Sequence, residues 1–158
     1  MQGQEATITL DPLPRARVAI LSTRWNPGII EPLVAGALEV LHAHQIDDQR
    51  IDHIRVPGAF ELPLAADRAA ATARYDGLVV LGAVIRGDTP HFDFVAGECA
   101  AGLREVSVRR GIPLGFGVLT TDNLAQAQAR SDLAGDNKGR ESALAMLEMI
   151  HLLNGIGS

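Results

Sequence analysis

The chain has 158 residues, of which 47% are hydrophobic and 21% are charged, and its formal net charge at pH 7 is -5. This composition is typical of one ordinary folded domain and excludes a disordered chain, and the acidic balance excludes the basic footprint of nucleic-acid binding. No apolar run approaches the roughly 18 residues of a membrane span and no leader pattern is present, so we expect a cytoplasmic protein with neither membrane nor nucleic acid as a partner.

Short β-rich runs alternate with helical patterns along the chain. In chain order the sequence predicts a strand over 17–22, a helix from about 27 to 41, a strand over 52–56, a helix over 61–74, a strand over 77–82, a helix over 91–110, a strand over 114–120 and helices over 124–130 and 140–153. Strict alternation predicts a single-domain α/β fold, with a doubly wound, mainly parallel four-stranded sheet and helices on both faces.

Residues 1–14 are expected to form an N-terminal arm on an α/β domain that spans 15–158. Residues 7–10 of this arm alternate in hydrophobicity, and we expect them to add as an edge strand to the sheet of a neighbouring subunit. The last helix is apolar almost all round, which also favours burial against another subunit.

Ligands of doubly wound sheets bind beyond the carboxyl ends of the strands, and the unusual segments of this sequence lie there. They are 23–26, 57–61, 83–91 and 120–123. The glycine-rich and lysine-containing loops that bind nucleotides are missing, and no histidine or acidic cluster has the spacing of a metal site. The lone cysteine, Cys99, sits among apolar residues at helical spacing and is expected to be a core residue.

The third strand is followed by Gly87, Asp88, Thr89 and His91, just where a helix begins. Backbone N–H groups at such a helix start bind an anion well. The alternative is that Asp88 or Thr89 merely caps the helix. The imidazole of His91 has an ordinary pKa near 6.5 and is suited to proton transfer at neutral pH, although an isolated first-turn histidine is more often a surface residue.

Other candidates are equally ambiguous from spacing alone. Glu61 either accepts hydrogen bonds from a ligand or complements a helix dipole. The only tryptophan, Trp25, is a core residue, an interface anchor or a stacking platform for a flat ring. Gly58 allows a ligand to approach the backbone. Arg130 and Lys138 are either solvated cations or binding residues.

Taken together, these segments resemble the lumazine synthase family over nearly the whole chain from residue 17 to 153. The two signature segments are Val56-Pro57-Gly58-Ala59-Phe60-Glu61 and Gly82-Ala83-Val84-Ile85-Arg86-Gly87-Asp88-Thr89-Pro90-His91. Shorter matches occur at 24–26, 116–121 and 137–139.

The resemblance implies a flavodoxin-like fold and the condensation of 5-amino-6-(D-ribitylamino)uracil with 3,4-dihydroxy-2-butanone 4-phosphate, in the penultimate step of riboflavin biosynthesis. It implies no cofactor and no metal. It also implies homo-pentamers, or decamers or sixty-subunit shells built from them, with the site between subunits and riboflavin synthase as a further candidate partner.

The family's residue roles carry over position by position. Trp25 would stack on the pyrimidine, His91 would relay protons, Arg130 would bind the phosphate and Lys138 would contact the reacting carbons. The remaining implied substrate-binding residues are Asn26, Gly58, Ala59, Phe60, Glu61, Val84, Ile85, Gly87, Asp88, Thr89 and Phe116.

Two residues depart from the family's pattern. Trp25 stands where phenylalanine is frequent, which would tighten the pocket, and Asp88 places a carboxylate beside the implied phosphate site. The leading alternative function is a noncatalytic flavin- or lumazine-binding paralogue, against which the joint presence of His91, Arg130 and Lys138 argues. An FMN-binding module and a phospho-receiver domain are less well supported, because the loops after the first and third strands lack the residues those functions need.

Overall fold

A single parallel sheet organises the fold in the computed structural model, which describes residues 3–4 and 6–157. The elements in chain order are β1 (Val18–Thr23), α1 (Pro27–Ala43), β2 (Ile51–Val56), α2 (Leu62–Ala71), β3 (Gly77–Ile85), α3 (His91–Arg110), β4 (Leu114–Thr121), α4 (Leu124–Ser131) and α5 (Lys138–Gly157), with short 3₁₀ helices at Asp48–Arg50 and Ala59–Glu61. All neighbouring strands are parallel, in the order β2-β1-β3-β4. The predicted doubly wound α/β fold is confirmed, and the order is that of flavodoxin-like sheets.

The sheet is covered on both faces by separate apolar clusters. We call the side covered by α1, α4 and α5 the first face and the side covered by α2 and α3 the second face. Alternate residues of β1 and β3 point to each, so Ile20 and Leu81 pack on the first face while Leu21 and Val80 pack on the second. All six residues of β1 are buried, which is why its sequence is continuously apolar apart from Ser22 and Thr23.

Helices α1 and α5 cross at a contact made by two glycines and a buried asparagine. The Asn137 side-chain amide donates to the carbonyls of Pro32 and Ser131 at 3.0 and 2.8 Å, while its Oδ1 accepts from the Arg140 backbone N–H at 3.0 Å. A Cβ on Gly36 would collide with the Asn137 side chain, and one on Gly139 would collide with the Leu33 carbonyl. The matching segment 137–139 therefore has a structural role in starting α5 against α1.

Three elements differ from the sequence prediction by more than the one or two residues seen elsewhere. Helix α2 ends at Ala71 rather than 74, because the Thr72 hydroxyl bonds back to the Ala69 carbonyl at 2.7 Å and Ala73 takes a left-handed conformation with φ 57°. Strand β3 continues to Ile85, since its last three residues remain paired with β4. Helix α5 is longer than expected at both ends.

The N-terminal arm packs along the molecule without forming a strand over residues 7–10. Leu10 and Leu13 contact the first-face cluster, and the Leu13 N–H donates to the His44 carbonyl at 3.0 Å. Pairing of residues 7–10 with a neighbouring subunit stays a prediction. Among the helices of residues 3–4 and 6–157, none combines the length and the hydropathy needed to cross a membrane.

Candidate active site at the carboxyl edge of the sheet

The four segments that follow the strands meet at one edge of the sheet. Thr23 at the end of β1 pairs with Val56, and Ile85 at the end of β3 pairs with Thr121. Strands β1 and β3 are neighbours, but the helices that follow them cover opposite faces, so a crevice opens between their ends. The segments that the sequence singled out therefore lie around the topological switch point of the fold.

Trp25, Gly58 and Glu61 lie together beside this crevice. A Cβ built on Gly58 would lie 3.2 Å from Glu61 Oε2 and 3.8 Å from Trp25 Cδ1, so glycine leaves open a space between indole and carboxylate that a side chain would occupy. Trp25 is 66% exposed and Phe60 is 63% exposed, whereas Ala59, which lies between Gly58 and Phe60 in the chain, is buried. An indole this exposed contradicts the core-residue interpretation of Trp25.

The Glu61 carboxylate stands at the start of α2 without an intramolecular hydrogen bond among the described residues. Glu61 holds the cap position of α2 but its side chain makes no capping bond, and its backbone N–H closes a turn onto the Gly58 carbonyl at 3.2 Å. The carboxylate complements the helix dipole and also keeps both oxygens available to accept hydrogen bonds from a ligand.

Asn26 has a local role that the sequence did not predict. Its backbone is left-handed, with φ 55° and ψ 62°, and its carbonyl accepts hydrogen bonds from the N–H groups of Ile29 and Ile30. Asparagine tolerates this conformation better than most residues. Asn26 thus turns the chain from β1 into α1 and leaves Trp25 at the end of the strand.

The loop between β3 and α3 presents backbone at the other side of the crevice. Helix α3 begins at His91 after Pro90, and no capping bond from Asp88 is found, whereas Thr89 makes a weak capping contact. The Thr89 hydroxyl lies 3.4 Å from the His91 backbone nitrogen, a long contact. Space within 4 Å of the Cβ direction of Gly87 is open, and Asp88 and His91 are exposed.

Arg86 at the start of this loop is a residue that the sequence reasoning left out of the site. Its Nε donates to Asp122 Oδ1 at 3.1 Å and its Nη2 lies 3.5 Å from Asp93 Oδ1. Its guanidinium carbon also lies 4.4 Å from the centre of the Phe92 ring. Asp122 is distant in sequence, so only the fold reveals this contact.

Thr23, at the floor of the crevice, was also missed. It is 2% exposed, and its Oγ1 is the buried side-chain polar atom that has no hydrogen-bond partner within the described residues. Its side chain packs where a Cβ on Gly82 would meet it at 3.3 Å, next to Leu62. A buried hydroxyl without a partner costs free energy.

The other predicted residues do not join this group within one chain. Arg130 is exposed on α4, where its Nη1 donates to the Gln126 carbonyl at 3.3 Å, and Lys138 at the start of α5 forms an ion pair with Glu141 at 2.9 Å. Both helices cover the first face, whereas Gly58 and Glu61 precede α2 on the second.

Phe116 is separated from Trp25 by the register of the sheet. Phe116 pairs with Val80 and Val80 with Leu21, so Phe116 lies two strands across and four residues below Trp25. At about 4.8 Å per strand and about 3.3 Å per residue, these positions do not touch. Val84 packs on the second face and Ile85 on the first, so only Val84 shares the face of Ala59 and Leu62.

Two other reactive-looking groups carry no site. Ser22 Oγ and His53 Nε2 lie 2.6 Å apart, but Ser22 is fully buried within the sheet and offers no nucleophile to a substrate. Cys99 is fully buried, as predicted, and burial raises the pKa of its thiol to about 11. Within residues 3–4 and 6–157, no group of three or more histidine, cysteine or acidic side chains is arranged to hold a metal.

A comparison with known protein families agrees with the crevice at the switch point, the exposed Trp25 ring and the Glu61 carboxylate. The sequence model of a family described as 6,7-dimethyl-8-ribityllumazine synthase matches residues 15–154, which includes every strand and nearly all of the helical residues. The chain therefore belongs to the lumazine synthase family, a family of transferases that serves riboflavin biosynthesis.

Proposed function

We propose that this protein is a 6,7-dimethyl-8-ribityllumazine synthase. It condenses 5-amino-6-(D-ribitylamino)uracil with 3,4-dihydroxy-2-butanone 4-phosphate and releases inorganic phosphate and water. The observation that carries the proposal is the grouping of Trp25, Gly58 and Glu61 at the switch point, because it matches a flat heterocycle bearing a chain of hydroxyl groups. Family membership supplies the identity of the two substrates.

The pyrimidine binds with its ring on the Trp25 indole and its ribityl chain toward Glu61. The exposed indole face offers a stacking surface, and the carboxylate accepts hydrogen bonds from hydroxyl groups. Gly58 permits this arrangement, since a larger side chain would occupy the space between the two groups. Asn26, Ala59, Phe60 and Val84 line the same pocket.

The butanone phosphate binds at the loop formed by Gly87, Asp88 and Thr89. Backbone N–H groups of this loop and of the first turn of α3 face the phosphate, and the Asp88 carboxylate turns outward to avoid repulsion. His91 is two residues beyond Thr89 and relays protons while the imine forms and the phosphate leaves. A positioned acid–base group of this kind contributes about 10²- to 10⁴-fold.

Most of the rate comes from holding two small molecules in register. An amine attacks a ketone without help, and orientation alone contributes roughly 7 to 11 kcal/mol. A pocket with few catalytic side chains and no metal is sufficient for this chemistry. Ile85 at the end of β3 contributes to the apolar wall of the site.

Arg130, Lys138 and Phe116 come from a neighbouring subunit of a homo-pentamer. Within one chain they are separated from Trp25 and Glu61 by the sheet or by its register. Head-to-tail association in a ring brings one end of each subunit against the opposite end of the next. Arg130 then provides the countercharge for the phosphate, and Lys138 and Phe116 complete the pocket.

The test is to incubate the purified protein with both substrates and to record the absorbance and fluorescence of the lumazine product. We expect turnover in the absence of added metal or cofactor. Binding of riboflavin or of the product without turnover would instead indicate a noncatalytic flavin- or lumazine-binding paralogue. A catalytically active protein should release one inorganic phosphate for each lumazine formed.

A further inference from the structure

Arg86 connects three parts of the fold around the β3–α3 loop. Its backbone N–H donates to the Thr121 carbonyl at 2.8 Å, which extends the β3–β4 pairing by one step. Its side chain reaches Asp122 in the β4–α4 loop and Asp93 in the first turn of α3, and it lies over the ring of Phe92. The loop that begins at Arg86 is thus tied both to the next strand and to its own helix.

The rest of this loop has little to hold it in place. Its contacts include the 3.4 Å approach of Thr89 Oγ1 to the His91 nitrogen and the Asp93 N–H to Pro90 carbonyl bond at 3.0 Å. Residues 86–90 are exposed, and the cap residue of α3, Pro90, makes no side-chain capping bond. Among the described residues, the side-chain contact between this loop and another part of the fold is the one from Arg86 to Asp122.

The contacts made by Arg86 are suited to positioning rather than to binding the phosphate directly. Its Nε and Nη2 already face two carboxylates, and one face of the guanidinium is covered by the Phe92 ring. A planar guanidinium holds this arrangement, whereas a lysine ammonium lacks the fork and the stacking surface. These contacts use two of the five N–H donors of the guanidinium and orient it toward Asp122 and Asp93.

We propose that Arg86 is a positioning residue that holds the Gly87–His91 segment in the geometry that binds phosphate. This inference rests on the proposed function of that loop. Loss of the Arg86 side-chain contacts lets the loop N–H groups drift from the anion, and small displacements of a binding group are costly.

The experiment measures binding of inorganic phosphate to the assembled protein by calorimetry, independently of turnover. We expect Arg86→Ala to raise the phosphate Kd and the KM for the butanone phosphate about tenfold, with the KM for the pyrimidine unchanged. Arg86→Lys should recover part of the loss. The matched control is Arg109→Ala, which removes an exposed arginine of α3 whose partner Asp67 keeps Arg110, and it should bind phosphate normally.

Asp122→Ala is the most informative variant, because two explanations predict opposite changes in its phosphate affinity. Removing a carboxylate near an anion site should tighten phosphate binding if only charge matters. If Asp122 holds Arg86 in place, its removal should weaken phosphate binding, and the double variant should bind no more weakly than Arg86→Ala alone, because Asp122 acts through Arg86. This variant also tests the proposal if Arg86→Ala fails to fold.

Tighter binding in Asp122→Ala, or normal phosphate affinity in a folded Arg86→Ala protein, would overturn the role of Arg86. If the variants change the phosphate Kd as expected but the wild-type protein forms no lumazine, the proposed function would be overturned. Arg86 would then remain a positioning residue of an anion site. Absence of both phosphate binding and turnover would overturn both proposals.

Discussion

The exposure of Trp25 distinguishes a ligand-binding residue from a core residue. A tryptophan buries more apolar area than any other side chain when it is internal, yet this one is 66% exposed beside Gly58 and Glu61. Because it is the only tryptophan, its fluorescence reports on this one place. Riboflavin or the ribityl pyrimidine should quench that emission saturably, with one site per subunit.

Substitutions at Trp25 test the stacking role directly. Trp25→Phe should keep both folding and ligand affinity, whereas Trp25→Ala should fold normally and lose about 1 to 3 kcal/mol of binding, by analogy with bases stacked on aromatic side chains. Titrations corrected for the inner-filter effect measure both. Binding with unchanged tryptophan emission would remove Trp25 from the site.

Thr23 leads to a prediction about stability at the floor of the same crevice. Its buried hydroxyl lacks a partner within the described residues, so Thr23→Val should raise the free energy of unfolding by about 1 kcal/mol. Thr121 is the matched control. It is 3% exposed at the end of β4, but its hydroxyl donates to the Asn123 carbonyl at 3.0 Å.

Thr121→Val breaks a bond that is made and should lower the free energy of unfolding by about 1 kcal/mol. Urea denaturation of the two variants and the wild type at one protein concentration measures the opposite signs. A decrease of similar size in both variants would show that the Thr23 hydroxyl has a partner in solution.

Most elements of the fold could be predicted because their periodicity is strong. The continuous apolar run at 77–82 identified a central strand, and Gly111, left-handed at φ 62°, ends α3 where the helical pattern stops. The extension of β3 to Ile85 depends on pairing with β4. The early end of α2 depends on a side-chain hydrogen bond of Thr72, and neither signal lies in hydrophobic periodicity.

The contact between α1 and α5 gives a prediction at the scale of elements. Gly139→Ala places a Cβ against the Leu33 carbonyl and 2.9 Å from Asn137 Oδ1, so two backbones must separate. We expect a loss of about 1 to 3 kcal/mol in the free energy of unfolding, the usual cost of overpacking. The measurement is denaturant unfolding at fixed protein concentration.

The control for Gly139 is Gly97 in the interior of α3, whose Cβ would meet nothing within 4 Å. Gly97→Ala gains helix propensity without a clash and should stabilise the protein by up to about 1 kcal/mol. If Gly139→Ala were equally stabilising, the close approach of α1 and α5 would not exist in solution.

In the whole molecule, the segments that the sequence predicts for one site lie on two faces of the sheet. The signature segments predicted Gly58, Glu61 and the β3–α3 loop, and the sheet brings these to one edge. Arg130 and Lys138 follow later in the chain on helices that cover the other face. Which face a helix covers is a property of the fold, and the sequence pattern of α4 or α5 does not report it.

The separation of these residues within one chain leads to a complementation experiment. His91→Ala should disable one half of each proposed site and Arg130→Ala the other half, so each variant alone should have much reduced activity. The two variants are unfolded together and reassembled, so that both kinds of subunit enter each ring. A site is then intact where its His91 comes from an Arg130→Ala subunit and its Arg130 comes from a neighbouring His91→Ala subunit. In a head-to-tail ring with random mixing, about a quarter of the sites meet this condition, so activity should recover to about a quarter of the wild-type value.

Light scattering should show a multiple of five subunits in the same samples. A fully active monomer, or mixtures no more active than their components at full assembly, would show that each chain builds its site alone and would separate Arg130 from the phosphate.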